Sequence, residues 1–367
     1  MLIKNAKILS YGVKEDIYDI FIEKGKIKSI KKNILGLENE KIIDAKGMYV
    51  TPGLIDAHTH LGLKGDSLGE FYSEHNEKNS KISPHLRAID AINPQDRTFK
   101  EAVNAGITTC ASGPGSANII GGQFACIKTY GGVIDSMVIN PYIGMKAALG
   151  ENPKKRYETT RMGIASELRE FLLKCQKYLT TDGEYDKKCE AMIPIMKREK
   201  PLKIHVHRAD DIATAIRISE EFNIKYTLDH VTGGVEILEY IQSKKEVPLL
   251  LGPSLGGRGK VELLGKSFEN VVKLSVGRDV CLITDAPVIP LQYLPVCAGL
   301  AISKGMDYKK AFEAVTINPA KVMGIENRLG SLEEGKDGDV VIWKDKPLVT
   351  IQDPIYVIVD GKIIKGD

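Results

Sequence analysis

Long apolar runs are missing from this 367-residue chain. None approaches the roughly 18 consecutive apolar residues that a helix needs to cross a bilayer, so no membrane partner is expected. The opening MLIKNAKILSYG alternates apolar and polar residues and lacks the apolar core of a secretion signal, which points to the cytoplasm. An excess of one charge is missing too. Lys+Arg 51 stand against Asp+Glu 48, interspersed along the chain for a net +3. That leaves no basic stripe for a nucleic acid to follow and excludes that partner class. Closely spaced cysteine pairs are absent: Cys110, Cys126, Cys175, Cys189, Cys281 and Cys297 are scattered. Neither a zinc knuckle nor a disulfide framework follows from that spacing, and the six read as buried, reduced thiols. The glycine-rich runs lack the spacing of a nucleotide-binding phosphate loop, and no internal repeat is visible.

What is present is the composition of an ordinary soluble globular protein, 43% hydrophobic and 27% charged. The length suits one barrel of about 250 residues with a small satellite domain. Residues 2–50 hold short alternating segments separated by Gly, Asn and charged residues, and the C-terminal runs DVVIWKD and YVIVDGKII repeat the style around a DG turn. The two ends, 1–52 and 334–367, are therefore expected to share a small β-sandwich domain. Between them, over 53–333, apolar strand-like runs alternate with helix-like stretches: TPGLIDAH, RTFKEAVNAGITTC, PLKIHVH, DIATAIRISEEFNIKYTLDH, VPLLLG and DVCLITD. A long series of that kind predicts an α/β fold, a (β/α)8 TIM-like barrel. In DIATAIRISEEF, Ile212, Ala215, Ile216 and Ile218 share a helical face, with Asp211 as a candidate N-cap. The polar segment 62–99, with His75 and His85, reads as a long loop at the barrel mouth that shapes a substrate pocket.

The sharpest chemical signal is Asp56-Ala57-His58-Thr59-His60 at the end of TPGLIDAHTH. Alternate side chains of a strand share a face, so His58 and His60 can bind one ion together. A bare HxH also fits two polar residues on a solvated strand; an apolar run opened by Pro-Gly favours the metal. Lys203, His205 and His207 share a face at the end of a second run, His230 ends a third, and Asp285 ends a fourth. Singly, each fits an incidental surface or core residue. Jointly, five of the seven histidines stand at the ends of strand-like runs, and in a (β/α)8 barrel those ends converge on the catalytic face. Two glycine-rich runs, SGPGSANIIGGQ ending at Gln123 and LGPSLGGRGK with Arg258, suit loops at the mouth whose amides and guanidinium meet a substrate, or merely tight turns.

With these residues in place, the chain resembles the amidohydrolase superfamily, most nearly its imidazolonepropionase-like branch. The likeness lies in IDAKGMYVTPGLIDAHTHLG, in AFEAVTINPAKVMGIENRLGSLEEGKDGDVVIWK, and in the histidine runs and Asp285 between them. It implies that His58, His60, His205 and His230 are metal ligands and that Asp285 binds or faces the metal and accepts a proton from the attacking water. His207 is the alternative to His205, and His230 in single-metal members polarises the substrate carbonyl instead. A bridging group for two metals is sought in YIGMKA, at Lys146, with Glu151 behind it. The implied cofactor is Zn2+, one or two ions, and the implied partner is a small-molecule substrate met by His207, Arg208, Gln123 and Arg258. A homo-oligomer is the common state of soluble enzymes. The expected reaction is hydrolysis of a C–N bond in a cyclic amide, an N-acyl amino acid or a short peptide. Deamination of a heterocycle and a catalytically inactive metal- and ligand-binding barrel are the alternatives.

Overall fold

The computed structural model describes residues 1–36, 40–65, 73–181 and 184–366. Among the described residues sixteen strands form two sheets. Strands β1 (Leu2–Ile8), β2 (Ile17–Glu23), β3 (Lys26–Lys31), β4 (Ile42–Asp44) and β5 (Tyr49–Pro52) come from the N-terminal end. The central strands are β6 (Leu54–Thr59), β7 (Ile107–Ser112), β8 (Ile120–Lys128), β9 (Val138–Ala148), β10 (Leu202–Val206), β11 (Tyr226–His230), β12 (Leu249–Leu251) and β13 (Val280–Leu282). The C-terminal end contributes β14 (Val340–Trp343), β15 (Tyr356–Val359) and β16 (Lys362–Lys365).

The two ends meet in one sheet ordered β16-β15-β14-β5-β1-β2-β3, with β4 beside β1. Its alternating strands bury Ile3, Ile8, Ile20, Ile22, Val50, Val340, Ile342 and Ile358 in a core of their own. The barrel strands instead read buried on both faces, as in LIDAHT, ITTCAS, LKIHV and YTLDH. Helices cover one face of a barrel sheet and packed side chains fill the other. The Lys128 ammonium joins the two units. It is buried among Asp339 at 2.7 Å, Asp360 at 3.0 Å and Asp337 at 3.3 Å.

Strands β6 to β13 run in chain order around a nearly closed TIM-type barrel. Its last and first strands are tied by Thr284 N and Oγ1 donating to Asp56 Oδ2, at 2.9 and 2.7 Å, and by His60 N donating to Ala286 O at 2.7 Å. One strand departs from the parallel order: β8 lies antiparallel to both β7 and β9. A parallel neighbour needs a crossover of about a dozen residues or more. The run 113–119 between β7 and β8 is too short for one, so the chain turns straight back. The helix Ala209–Glu221 buries Ile212, Ala215, Ile216 and Ile218 on one face, as its spacing predicts. Asp211 is not its cap, however. The helix starts at Ala209 with Arg208 in the cap position, and Asp211 lies in the first turn, where its carboxylate takes Arg161 Nε at 3.0 Å. No helix among the described residues is long and apolar enough to cross a membrane. All six cysteines are buried and free.

Candidate metal centre

The C-terminal ends of β6, β10 and β11, the last turn of β9 and the segment after β13 meet at one mouth of the barrel. Alternation puts His58 and His60 on the inner face of β6 and its extension, and Lys203, His205 and His207 on that of β10. Their rings and that of His230 form a continuous cluster. Ring centroids lie 5.5 Å apart for His58–His60, 5.0 Å for His58–His230, 4.5 Å for His205–His230 and 4.8 Å for His207–His230. His230 should point away from this face, since Asp229, one residue earlier, already points inward to His58. The backbone turns it back: His230 and Val231 have φ of 81° and 54°, and Asp285 has 54°. Positive φ is uncommon outside glycine and clusters at functional sites.

Four of the five rings are oriented by Nδ1. His60 donates to Gly113 O and His230 to Gly252 O, each at 2.7 Å; His58 pairs with Asp229 Oδ2 at 2.6 Å and His207 with Thr232 Oγ1 at 2.7 Å. Carbonyl oxygens only accept, so both rings carry a proton on Nδ1; the His230 Nε2 lone pair then faces the cluster, while His60 Nε2 faces Asp285. The buried Nε2 atoms of His205 and His230 and the Oδ1 of Asp285 have no hydrogen-bond partner. Donor atoms of His205, His207 and His230 lie within 4.8 Å of one another, as do those of His58, His230 and Asp285. Imidazole and carboxylate ligands with an oriented outer shell suit a borderline divalent cation.

The charges are equally organised. Lys146 is fully buried on β9 with Nζ 3.1 Å from His58 Nε2. Burial, with Lys203 nearby, pushes its pKa down to about 8, against the pull of Asp229 and Asp285. Burial alone would push the Asp285 carboxyl up, but His230 and His60 outweigh it and hold the group well below the usual carboxylate range. Its Oδ1 lies 3.2 Å from His60 Nε2 and 3.5 Å from His58 Nε2. Beneath the histidines, Asp229 accepts from Thr227 Oγ1 at 2.7 Å and pairs with Lys203 Nζ at 3.2 Å. Against its burial, Lys203 and His58 keep it ionised.

The structure thus brings together His58, His60, Lys146, His205, His207, His230 and Asp285. Other sequence-predicted residues stand apart. Arg208 is exposed and engaged by Asp210, at 3.0 Å from Nε and 2.8 Å from Nη2, because the helix begins immediately after it. Arg258 is exposed and donates to Lys266 O at 2.9 Å. Gln123 is held by the mouth loop, its Nε2 3.3 Å from Pro84 O. Glu151 accepts from Glu262 N at 3.3 Å, outside the cluster. Of the loop 62–99, residues 66–72 lie outside the described residues; His75 packs on His60 at 5.5 Å between centroids, while the charges acting on His85 are those of Lys187, Lys188, Glu77 and Asp186. Sequence reasoning missed Asp229, although it directly precedes His230, and gave Lys203 no role although it shares a face with His205. Asp56 was also missed. Its carboxyl, pushed up to about 7 by burial, joins His58 N to Thr284.

Comparison with known proteins fits this centre. The profile of the amidohydrolase family matches residues 261–364. The crystal structure of an amidohydrolase from Thermotoga maritima MSB8 superposes over 100% of both chains with a TM-score of 0.95 and 34% identity. The chain belongs to the amidohydrolase family. Imidazolonepropionase of Thermoplasma volcanium is 25% identical over 346 residues, 88% of this chain and 83% of that protein. Amidohydrolase tasK of Hapsidospora irregularis is 25% identical over 394 residues, 94% of this chain but only 39% of the longer relative. This amidohydrolase is accordingly a hydrolase of carbon–nitrogen bonds, from a metal-dependent family acting on small molecules, with a histidine-rich site able to hold metal.

Proposed function

We propose that the protein hydrolyses the C–N bond of a cyclic amide, an N-acyl amino acid or a short peptide, using one or two Zn2+ ions. The observation that supports this most is the set of four imidazoles tethered at Nδ1, with the partnerless Nε2 atoms of His205 and His230 beside Asp285 and Lys146. His58, His60 and Asp285 would hold one ion and His205, His207 and His230 a second, with Lys146 between them. The ion, when bound, polarises the carbonyl and supplies water made acidic enough to attack at neutral pH. Asp285, kept ionised by its histidines, takes the proton from the attacking water and returns it to the leaving nitrogen. In the single-ion arrangement His230 is left to the substrate, and stabilising the charge that develops on the scissile carbonyl's oxygen would require a proton on its Nε2. The loop carrying His75 covers His60 and limits water at the mouth.

The test is metal content per chain by elemental analysis, together with hydrolysis of a pooled amide, N-acyl amino acid and dipeptide library with and without chelator. Products that vanish with chelator are expected. Release of ammonia from heterocycles alone would replace this reading with a deaminase, and absence of both metal and turnover would replace it with a ligand-binding barrel.

A further inference from the structure

Five lysines are buried among the described residues: Lys128, Lys146, Lys203, Lys266 and Lys336. An ammonium taken out of water needs a counter-charge, and three of the five have one. Lys128 lies among Asp337, Asp339 and Asp360; Lys203 pairs with Asp229 at 3.2 Å and Lys336 with Glu333 at 2.9 Å. Lys146 has no described carboxylate within 4.0 Å, and its place between the histidines accounts for it. Lys266 remains. It is 6% exposed, its Nζ makes one hydrogen bond, to Gly257 O at 3.1 Å, and no described carboxylate lies within 4.0 Å of it.

Its place in the fold gives that missing charge a direction. Lys266 closes the loop that follows β12 and lines a narrow crevice with His230, Thr232, Gly252, Pro253 and Ser254. The crevice holds about 10 Å³ of free space, the room of a single water or one carboxylate oxygen. Burial and the neighbouring Arg258 cation push the Lys266 pKa down, against the pull of Cys297 and Asp285. Arg258 cannot serve in its stead: it points out to solvent and steadies the loop by donating to Lys266 O. Gly257 and Gly259 of that loop have open space where a side chain would stand, whereas a Cβ on Gly256 would lie 4.0 Å from Lys266 Nζ and 3.7 Å from Ile289, so a bare glycine keeps the approach to the ammonium clear.

We propose that Lys266 is the anion-binding residue of the substrate pocket and that the substrate is an N-acylated amino acid whose free carboxylate it receives. This rests on the hydrolytic reading of the adjoining centre. An ammonium–carboxylate hydrogen bond in a desolvated crevice is strong enough to decide between substrates that differ only in that charge.

The experiment is calorimetric titration of the full-length, metal-loaded protein with a panel of N-acetyl amino acids and, in parallel, their neutral carboxamides. The wild type is expected to bind the preferred acid about 10- to 100-fold more tightly than its carboxamide. Lys266→Met should remove that preference while binding the carboxamide as before, and Lys344→Met, which deletes an exposed lysine in the bend after β14, should retain it. Should Lys266→Met not fold, Lys266→Gln is read the same way. Equal binding of acid and carboxamide by the wild type, no binding of either, or a preference that survives Lys266→Met would overturn the proposal. Because the readout is binding, it stands apart from the hydrolytic reading, which fails instead if a metal-loaded protein that prefers acids turns none of them over.

Discussion

Asp229 offers the most informative perturbation, because it serves two partners whose losses can be told apart. It orients His58 through Nδ1 at 2.6 Å and neutralises Lys203 at 3.2 Å, with no exposed side-chain surface on either acid or imidazole. Asp229→Asn keeps the shape but removes the charge from both. For His58, the loss of an outer-shell carboxylate lowers metal affinity by about 10- to 100-fold, or roughly 1.4–2.7 kcal/mol. For Lys203, the loss leaves a buried ammonium without a partner, worth about 3–5 kcal/mol of stability. In a chain of this length that is a fall in Tm of roughly 4–6 °C. The sign with pH follows from the depressed folded-state pKa of Asp229. Its stabilisation is fully present above the unfolded value of about 3.9 and lost only as pH falls through the folded value below it. The comparison therefore belongs at pH 7. The double variant Asp229→Asn, Lys203→Met removes the stranded charge, so Tm of the metal-free protein should recover while metal affinity, measured by competition with a chelator, should not. If the double variant bound metal as tightly as the wild type, Asp229 would be only a strut between β10 and β11, and the orientation argument would be refuted.

Three further outcomes are expected. Asp285→Asn should keep most of the bound metal, by elemental analysis, yet slow turnover by about 10²- to 10⁴-fold; full activity would remove Asp285 as the base. Burial pushes the Lys146 pKa down to about 8, so its neutral amine prevails above that pH instead of above the ordinary 10.5. Metal uptake should therefore rise through pH 8 in the wild type and lose that step in Lys146→Met, whereas uptake flat from about pH 7 to 9 in the wild type would refute the role. Gly252 has φ of 139°, and a Cβ there would lie 2.1 Å from Ile283 O. Its carbonyl also holds His230 Nδ1, so Gly252→Ala should cost about 2–4 kcal/mol in thermal unfolding and weaken metal binding as well.

Much of this molecule was legible because strand periodicity carries information over two residues. His58 with His60, and His205 with His207, share faces by alternation alone, and the apolar runs before them placed both pairs at strand ends in a barrel. The two alternating chain ends, with their Gly and Asp turns, likewise announced a sheet. Local pattern could not show how the chain bends between strands. The reversal of β8 depends on the short connection after β7, and the inward turn of His230 depends on positive φ at residues whose side chains do not ask for it. Nor could it show which charges lose their water. Arg208 and Arg258 looked like substrate contacts in one dimension but reach solvent in three, where Asp210 and a backbone carbonyl engage them. Asp229, Lys203 and Lys266 looked like three more charges in a chain full of them. The sequence by itself determined the fold class, the histidine pairs and the chemistry that such donors permit, since residue type and spacing are local properties. Only the tertiary structure decided which side chains meet, because burial, ring orientation and counter-charge depend on neighbours remote in the chain.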